Sequence, residues 1–270
     1  MIIDIKDLHF TYPSGVHALR GIDLRITDGE QVAIVGQNGS GKTTLVKHLN
    51  GLLKPEQGSV LIGGWDTTEK TVAQMASRVG YVFQNPDEQL FTKSVYDEVT
   101  FGPQNLGYGE EKTTRLAQRA LRVTDLEDKK ATNPYDLSPT WRKMVALASI
   151  IAMATPIVVF DEPTTGQDAV SINRIAKVVE LLREEEKTLI TISHDIDFCA
   201  DHFSHVDAMG EGKILLDGTT AEVMGEDETL AATYVDPPQI TRLGKEIGLP
   251  RTVTTMEDFL EALREERGVQ

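Results

Sequence analysis

The segment GQNGSGKT, residues 36–43, matches the pattern G-x-x-x-x-G-K-[ST]. Gly36 and Gly41 let the backbone curl so that successive N–H groups point inward at phosphate oxygens. Gln37, Asn38, Gly39 and Ser40 would supply the curled chain between them. Lys42 would reach the β- and γ-phosphates, Thr43 would offer its hydroxyl to Mg²⁺, and Thr44 would add a further phosphate contact. The helical pattern that follows, TTLVKHLNGLL, turns its positive end toward the same charge. An ordinary glycine-rich turn has a similar composition, so the reading depends on a second chemical element. IVVFDE, residues 157–162, supplies it. Asp161, closing an apolar run, would hold Mg²⁺ through water, and Glu162 is placed to orient or polarise an attacking water. Alone, two adjacent acids read equally well as a solvated turn. With the cradle they read as a nucleoside triphosphate site.

These residues need a scaffold that brings them together. The apolar run Val32 to Val35 ends at the glycine-rich turn, and SRVGYVFQ, IVVFDE and TLITISHD are further short apolar runs, each closing on a polar or acidic residue. Such runs fit strands buried on both faces of a mainly parallel sheet, with ligands at their carboxyl ends. The expected class is α/β. Residues about 86–150 have helical spacing (EEKTTRLAQRALRVTDL) and read as a helical insertion. The run MVALASIIAMATPIVVF, residues 144–160, is broken at Thr155-Pro156 and reads as a buried helix followed by a buried strand, too short for a membrane span. After about residue 221 the composition changes. Ile240, Leu243 and Ile247 fall at helical spacing, and Thr254 with Glu257 suggests a capping box ahead of Phe259, Leu260 and Leu263. The expected division is a main domain over 1–221 and a helical extension over 222–270.

The 270 residues include 27 Lys and Arg against 42 Asp and Glu, a formal net charge of −15. That is the wrong sign for a nucleic-acid surface, though not for a local basic pocket. Cys199 is the only cysteine, which excludes an intrachain disulfide and a cysteine metal cluster and fits a reducing compartment. The beginning MIIDIKDLHF is charged throughout and lacks the shape of a signal peptide. Work at a membrane would require recruitment by a partner.

Five elements follow in order: GQNGSGKT, Gln84 in YVFQNP, DLSPTWRKM, VVFDEPTTGQD, and His194 in TISHD. This order resembles the ATP-binding-cassette ATPases over roughly residues 1–220. VFQNPDEQLFTKSVYDEVTFGPQNLG and DPPQITRLGKEIGLP look like the energy-coupling-factor importer ATPases, which serve uptake of vitamins and of cobalt or nickel ions. The resemblance implies a P-loop NTPase cassette: a mainly parallel core sheet, an antiparallel β subdomain, a helical subdomain and a small C-terminal helical extension. It implies ATP and Mg²⁺ as ligands, and a peripheral position on the cytoplasmic face of the cell membrane. The implied partners are a second cassette ATPase, an integral-membrane coupling subunit and a substrate-capture subunit. Tyr12 would stack on adenine, Gln84 would touch Mg²⁺ or the attacking water, His194 would contact the γ-phosphate, and Asp168 would belong to a loop crossing to the second subunit.

In that family each ATP lies between one subunit's phosphate loop and the other's signature, a helix start normally reading Leu-Ser-Gly-Gly-Gln. Here Leu137 is followed by Ser138, Pro139, Thr140 and Trp141. Ser138 is a good N-cap and proline suits the first helical position, so the helix is expected to form. Its grip on phosphate is expected to weaken, because proline lacks an N–H, Thr140 is branched and Trp141 adds bulk. Arg142 and Lys143 would keep positive charge nearby. This pattern suggests a heterodimer with an ATPase whose signature is intact. The alternatives are a homodimer with slow turnover, or a motif that tolerates the change. At the level of function, an ATP-hydrolysing importer subunit leads. A regulatory nucleotide-binding subunit with little turnover, and a non-transport cassette ATPase, are the other readings.

Overall fold

A computed structural model describes residues 1–267. In chain order, β1 (Ile3–Thr11), β2 (His17–Ile26) and β3 (Gln31–Val35) lead to α1 (Lys42–Leu49), then β4 (Gln57–Ile62), β5 (Trp65–Asp66), α2 (Val72–Met75) and β6 (Val79–Val82). Three helices follow, α3 (Val95–Asn105), α4 (Glu110–Val123) and α5 (Pro139–Met153). Next come β7 (Ile157–Asp161), α6 (Ala169–Glu184), β8 (Thr188–Ile192), α7 (Ile196–His202), β9 (His205–Gly210) and β10 (Lys213–Thr219). The chain finishes with α8 (Thr220–Gly225), α9 (Asp227–Ala232), α10 (Gln239–Glu246) and α11 (Met256–Arg267).

The larger sheet has the order β10-β9-β3-β8-β7-β6, parallel throughout except for the β9–β10 pair. A smaller antiparallel sheet has the order β2-β1-β4-β5. Every residue of β3, β7 and β8 is buried, as a strand covered on both faces requires. Alternate residues serve different cores. Val32, Ile34, Ile157 and Val159 join the small sheet and α1, whereas Ala33, Val35, Val158 and Phe160 join the helices on the other side. This sandwiching leaves only the strand ends free for chemistry: the phosphate loop follows β3, Asp161 closes β7 and Ser193 follows β8.

The helical segment expected over about 86–150 contains α3, α4 and α5, with α5 continuing to Met153. Ser138 caps α5 and Pro139 takes its first turn, as the sequence predicts. Ala154, left-handed at φ 53°, ends it before Thr155-Pro156. The residues after 221 divide between two cores: Val223, Met224, Leu230 and Val235 join the core under the main sheet, while Val253, Phe259 and Ala262 form a small core of their own. The predicted cap of α11 shifts by one residue. Thr255 Oγ1 accepts from Asp258 N at 3.2 Å, and Asp258 Oδ2 accepts from Thr254 N at 3.3 Å. Aspartate at the third helical position does the work expected of Glu257, because its shorter side chain reaches the preceding backbone.

Candidate functional site

At the end of β3 the backbone turns through Gly36 (φ 144°) and Gly41 (φ 106°). A Cβ at Gly36 would stand 2.2 Å from the Met209 carbonyl oxygen, and one at Gly41 would stand 2.6 Å from that of Ala18. Only glycine fits either place. Gly39 instead faces open space. Gln37 N donates to the Thr233 carbonyl at 3.0 Å, which ties the loop to the segment after α9. Lys42 Nζ lies back on the loop, donating to Gly36 O at 2.6 Å and Gln37 O at 3.0 Å. Burial pushes its amine below the usual lysine range, with the Glu162 and Asp161 carboxylates pulling the other way.

The parallel order β3-β8-β7 brings Asp161 and Glu162 to the loop. Asp161 is buried; its Oδ1 accepts from Thr43 Oγ1 at 3.2 Å and its Oδ2 from the Tyr81 hydroxyl at 2.6 Å. Glu162 is 4% exposed and left-handed at φ 50°, a conformation that costs a residue with a Cβ about 1 kcal/mol. Its Oε1 lies 3.1 Å from His194 Nε2, and its Oε2 accepts from Thr165 Oγ1 at 3.1 Å and His194 N at 3.3 Å. Both acids are therefore held in place rather than solvated.

A cavity of about 210 Å³ opens over the loop, lined by Tyr12, Asn38, Lys42, Thr43, Gln84, Glu162 and His194 among others. Tyr12 is half-buried there, its hydroxyl 3.0 Å from Thr44 Oγ1 and its ring edge-on to Phe10. Gln84 is exposed, and its carbonyl accepts from Lys143 Nζ at 2.6 Å. The residues present suit a phosphate chain with Mg²⁺. Among the described residues the buried Ser40 hydroxyl has no partner, the Gly39 side is open, a hydroxyl and a carboxylate adjoin at Thr43 and Asp161, and the lysine lies beside them.

The signature residues and Asp168 lie outside this cavity. Asp168 is exposed and caps α6, accepting from Ser171 N at 2.8 Å. Two expectations about the signature are corrected. Trp141 does not project as bulk: its ring packs on the main core with Lys129 Nζ 4.4 Å and the Arg174 guanidinium 4.6 Å from its centre. Lys143 does not keep positive charge near the signature surface. It is 2% exposed, on the Phe83 and Gln84 carbonyls, while Arg142 pairs with Asp87 at 2.6 Å.

Sequence reasoning missed Tyr81 and Thr165, and it assigned Lys143 to the wrong surface. A phenol inside a strand buried on both faces needs a hydrogen-bond partner, which was a usable signal for Tyr81. Burial and the adjacent Asp161 hold that phenol protonated, well above the usual tyrosine range. Nothing local marks Thr165 or Lys143; their partners arrive only through the fold.

The family model described as ABC transporter matches residues 19–165. The chain belongs to the ABC transporter family. The energy-coupling factor transporter ATP-binding protein EcfA of Methanocaldococcus jannaschii is 38% identical over 244 residues, covering 90% of this chain and 88% of that protein. A longer relative from Caldanaerobacter subterraneus is 39% identical over 98% of this chain, which spans 46% of that relative's length. Among solved structures, cbiO1 of Clostridium perfringens, part of the ABC transporter complex cbiONQ, superimposes with a TM-score of 0.75 at 34% identity, covering 91% of this chain and 98% of that one. These similarities place the ABC cassette with the energy-coupling-factor type.

Proposed function

We propose that this chain is the ATP-hydrolysing subunit of an energy-coupling-factor importer for a vitamin or a transition-metal ion. The observation that carries the reading is the convergence of Lys42, Thr43, Glu162 and His194 from three separate segments onto one cavity, with Asp161 hydrogen-bonded to Thr43 beside it. Lys42 would exchange the Gly36 and Gln37 carbonyls for β- and γ-phosphate oxygens. Thr43 and Asp161 would hold Mg²⁺, which when bound neutralises charge on the phosphates. Tyr12 offers its face to the adenine. Glu162, fixed by Thr165 and His194, orients the water that attacks the γ-phosphorus and accepts its proton as the bond to the β-phosphate oxygen breaks, giving ADP and phosphate. His194 steadies that carboxylate and faces the γ-phosphate; Gln84 senses the same region.

Ser138, Pro139, Thr140 and Trp141 would meet the nucleotide of a second cassette, with Asp168 in the loop between subunits. The degenerate signature favours a heterodimer in which this chain's own loop hydrolyses ATP and the opposite site mainly binds it. No helix among the described residues is long and apolar enough to cross a membrane. The motion would pass to an integral-membrane coupling subunit that works with a separate substrate-capture subunit, from the cytoplasmic face. Phe91 and Phe101, edge-on at 4.7 Å and 59% and 44% exposed, support a docking face beyond Gln84. The test is steady-state ATP hydrolysis by the purified chain, with Lys42→Ala as the blank. Near-blank turnover rescued by a partner ATPase is expected; brisk turnover by the chain alone would sink the asymmetric pairing.

A further inference from the structure

At the starting ends of β3 and β9, opposite the phosphate loop, lies a cluster that nucleotide chemistry does not use. Asp207 on β9 stands directly opposite Asp217 on β10, and His205 lies two residues before Asp207 on the same face. His205 Nε2 is 2.8 Å from Asp217 Oδ1 and 3.6 Å from Asp207 Oδ1. All three ligand atoms fall within 4.8 Å of one another. Asp207 is 0% exposed, and neither of its carboxylate oxygens has a hydrogen-bond partner among the described residues.

Carboxylates facing each other across an antiparallel pair repel, and a buried carboxylate without partners is costly. Burial pushes the Asp207 carboxyl above the usual range, with His205 pulling the other way. One imidazolium offsets only part of this charge, because Glu30 approaches from the third side. Glu30 Oε1 lies 3.4 Å from His205 Nδ1, and Glu30 Oε2 accepts from Thr27 N at 2.7 Å and Thr27 Oγ1 at 2.9 Å. A carboxylate at Nδ1 holds the tautomer that exposes the Nε2 lone pair once a cation displaces the Nε2 proton now facing Asp217, the arrangement found behind metal-ligating histidines.

We propose that His205, Asp207 and Asp217 bind one divalent cation of the Zn²⁺ class, with Glu30 orienting the imidazole. Bonds of about 2 Å in tetrahedral geometry separate ligand atoms by about 3.3 Å, between the two distances observed at Nε2. One nitrogen and two carboxylate oxygens suit a late first-row ion, and the exposed Asp217 side leaves room for water as the fourth ligand. The bound ion would pin the β9–β10 hairpin at the base of β3, the strand that delivers the phosphate loop.

The test is calorimetric titration of the nucleotide-free chain with Zn²⁺ in excess Mg²⁺, with Co²⁺ absorption as a second probe and thermal melting as a third. Saturation at one ion per chain and a Zn²⁺-dependent rise in Tm are expected. His205→Gln and Asp217→Asn, both at least partly exposed positions, should weaken binding by more than about tenfold, and Glu30→Gln by about tenfold. Asp161→Asn, in the nucleotide site, should leave Zn²⁺ binding unchanged. Absence of saturable binding, or binding indifferent to His205→Gln and Asp217→Asn, would overturn the site. Indifference to Glu30→Gln alone would overturn its orienting role.

Discussion

Replacing Lys143 by methionine separates two things the residue does. Its ammonium is buried, donates to Phe83 O at 3.2 Å and Gln84 O at 2.6 Å, and among the described residues has no carboxylate within ion-pair distance. Burial lowers the amine from 10.5 to about 8, with Asp161 and Glu162 opposing. That fall corresponds to about 3 kcal/mol by which the native state resists the charged form. Methionine fills similar space and removes this cost, but leaves two carbonyls without a donor at about 1–3 kcal/mol each. The terms largely offset, so folding free energy near neutral pH should change by no more than about 3 kcal/mol. The hold on the Gln84 segment is lost, however, and displacement by about 1 Å near the reacting atoms can cost up to a hundredfold in rate. Hydrolysis, measured as phosphate release from the assembled ATPase, should fall at least about tenfold in a protein that still melts cooperatively. The sign with pH is also fixed. Above about pH 8 the native lysine sheds its proton while the unfolded one keeps it, so wild type should gain stability over Lys143→Met as pH rises from 8 toward 10.5. Denaturant melts at several pH values measure that difference. Undiminished hydrolysis in a stable variant, or a gap that does not grow over that interval, would refute the reasoning.

Glu162→Gln should cut hydrolysis by at least about a hundredfold while a fluorescent nucleotide still binds, because the amide keeps the shape but cannot take a proton. Parallel loss of binding would mean that the residue shapes the loop instead. In the self-paired chain, Pro139→Gly should raise turnover by restoring an N–H at the helix start, whereas Trp141→Gln should not, because the ring is folded away from that surface; steady-state phosphate release from both variants checks this.

The phosphate loop, the acidic strand end and the strand–helix alternation were legible because each is local: a glycine pattern, a five-residue apolar run, a proline break at Thr155-Pro156. The small sheet followed from the family resemblance rather than from periodicity. What the sequence hid depends on strand order. Tyr81 meets Asp161 only because β6 lies beside β7, and Lys143 meets Gln84 only because the start of α5 returns to the segment after β6. The same blindness explains the error over the cations after the signature. Arg142 and Lys143 are adjacent in sequence to a motif expected to face phosphate, but a helix turns successive residues by about a quarter turn, and these two reach the Gln84 segment.

The altered helix start can now be resolved into separate parts. With Lys129 and Arg174 both against the Trp141 ring, and Arg174 itself paired with Asp125 at 2.8 Å, the tryptophan packs within its own chain. On the proposed pairing, what would change for a partner's nucleotide is the donor missing at Pro139 and the branched side chain at Thr140. Ser138 Oγ is engaged only by a long bond, 3.5 Å from Trp141 N, so its hydroxyl stays available. One lost hydrogen bond to a charged group is worth about 1.5–3 kcal/mol, roughly ten- to a hundredfold in affinity. A defect of that size weakens closure without abolishing it. A sensible pairing would therefore match this chain with a cassette whose stronger signature compensates on the side where Glu162 stands ready, leaving the weaker grip at the site that needs only to hold ATP.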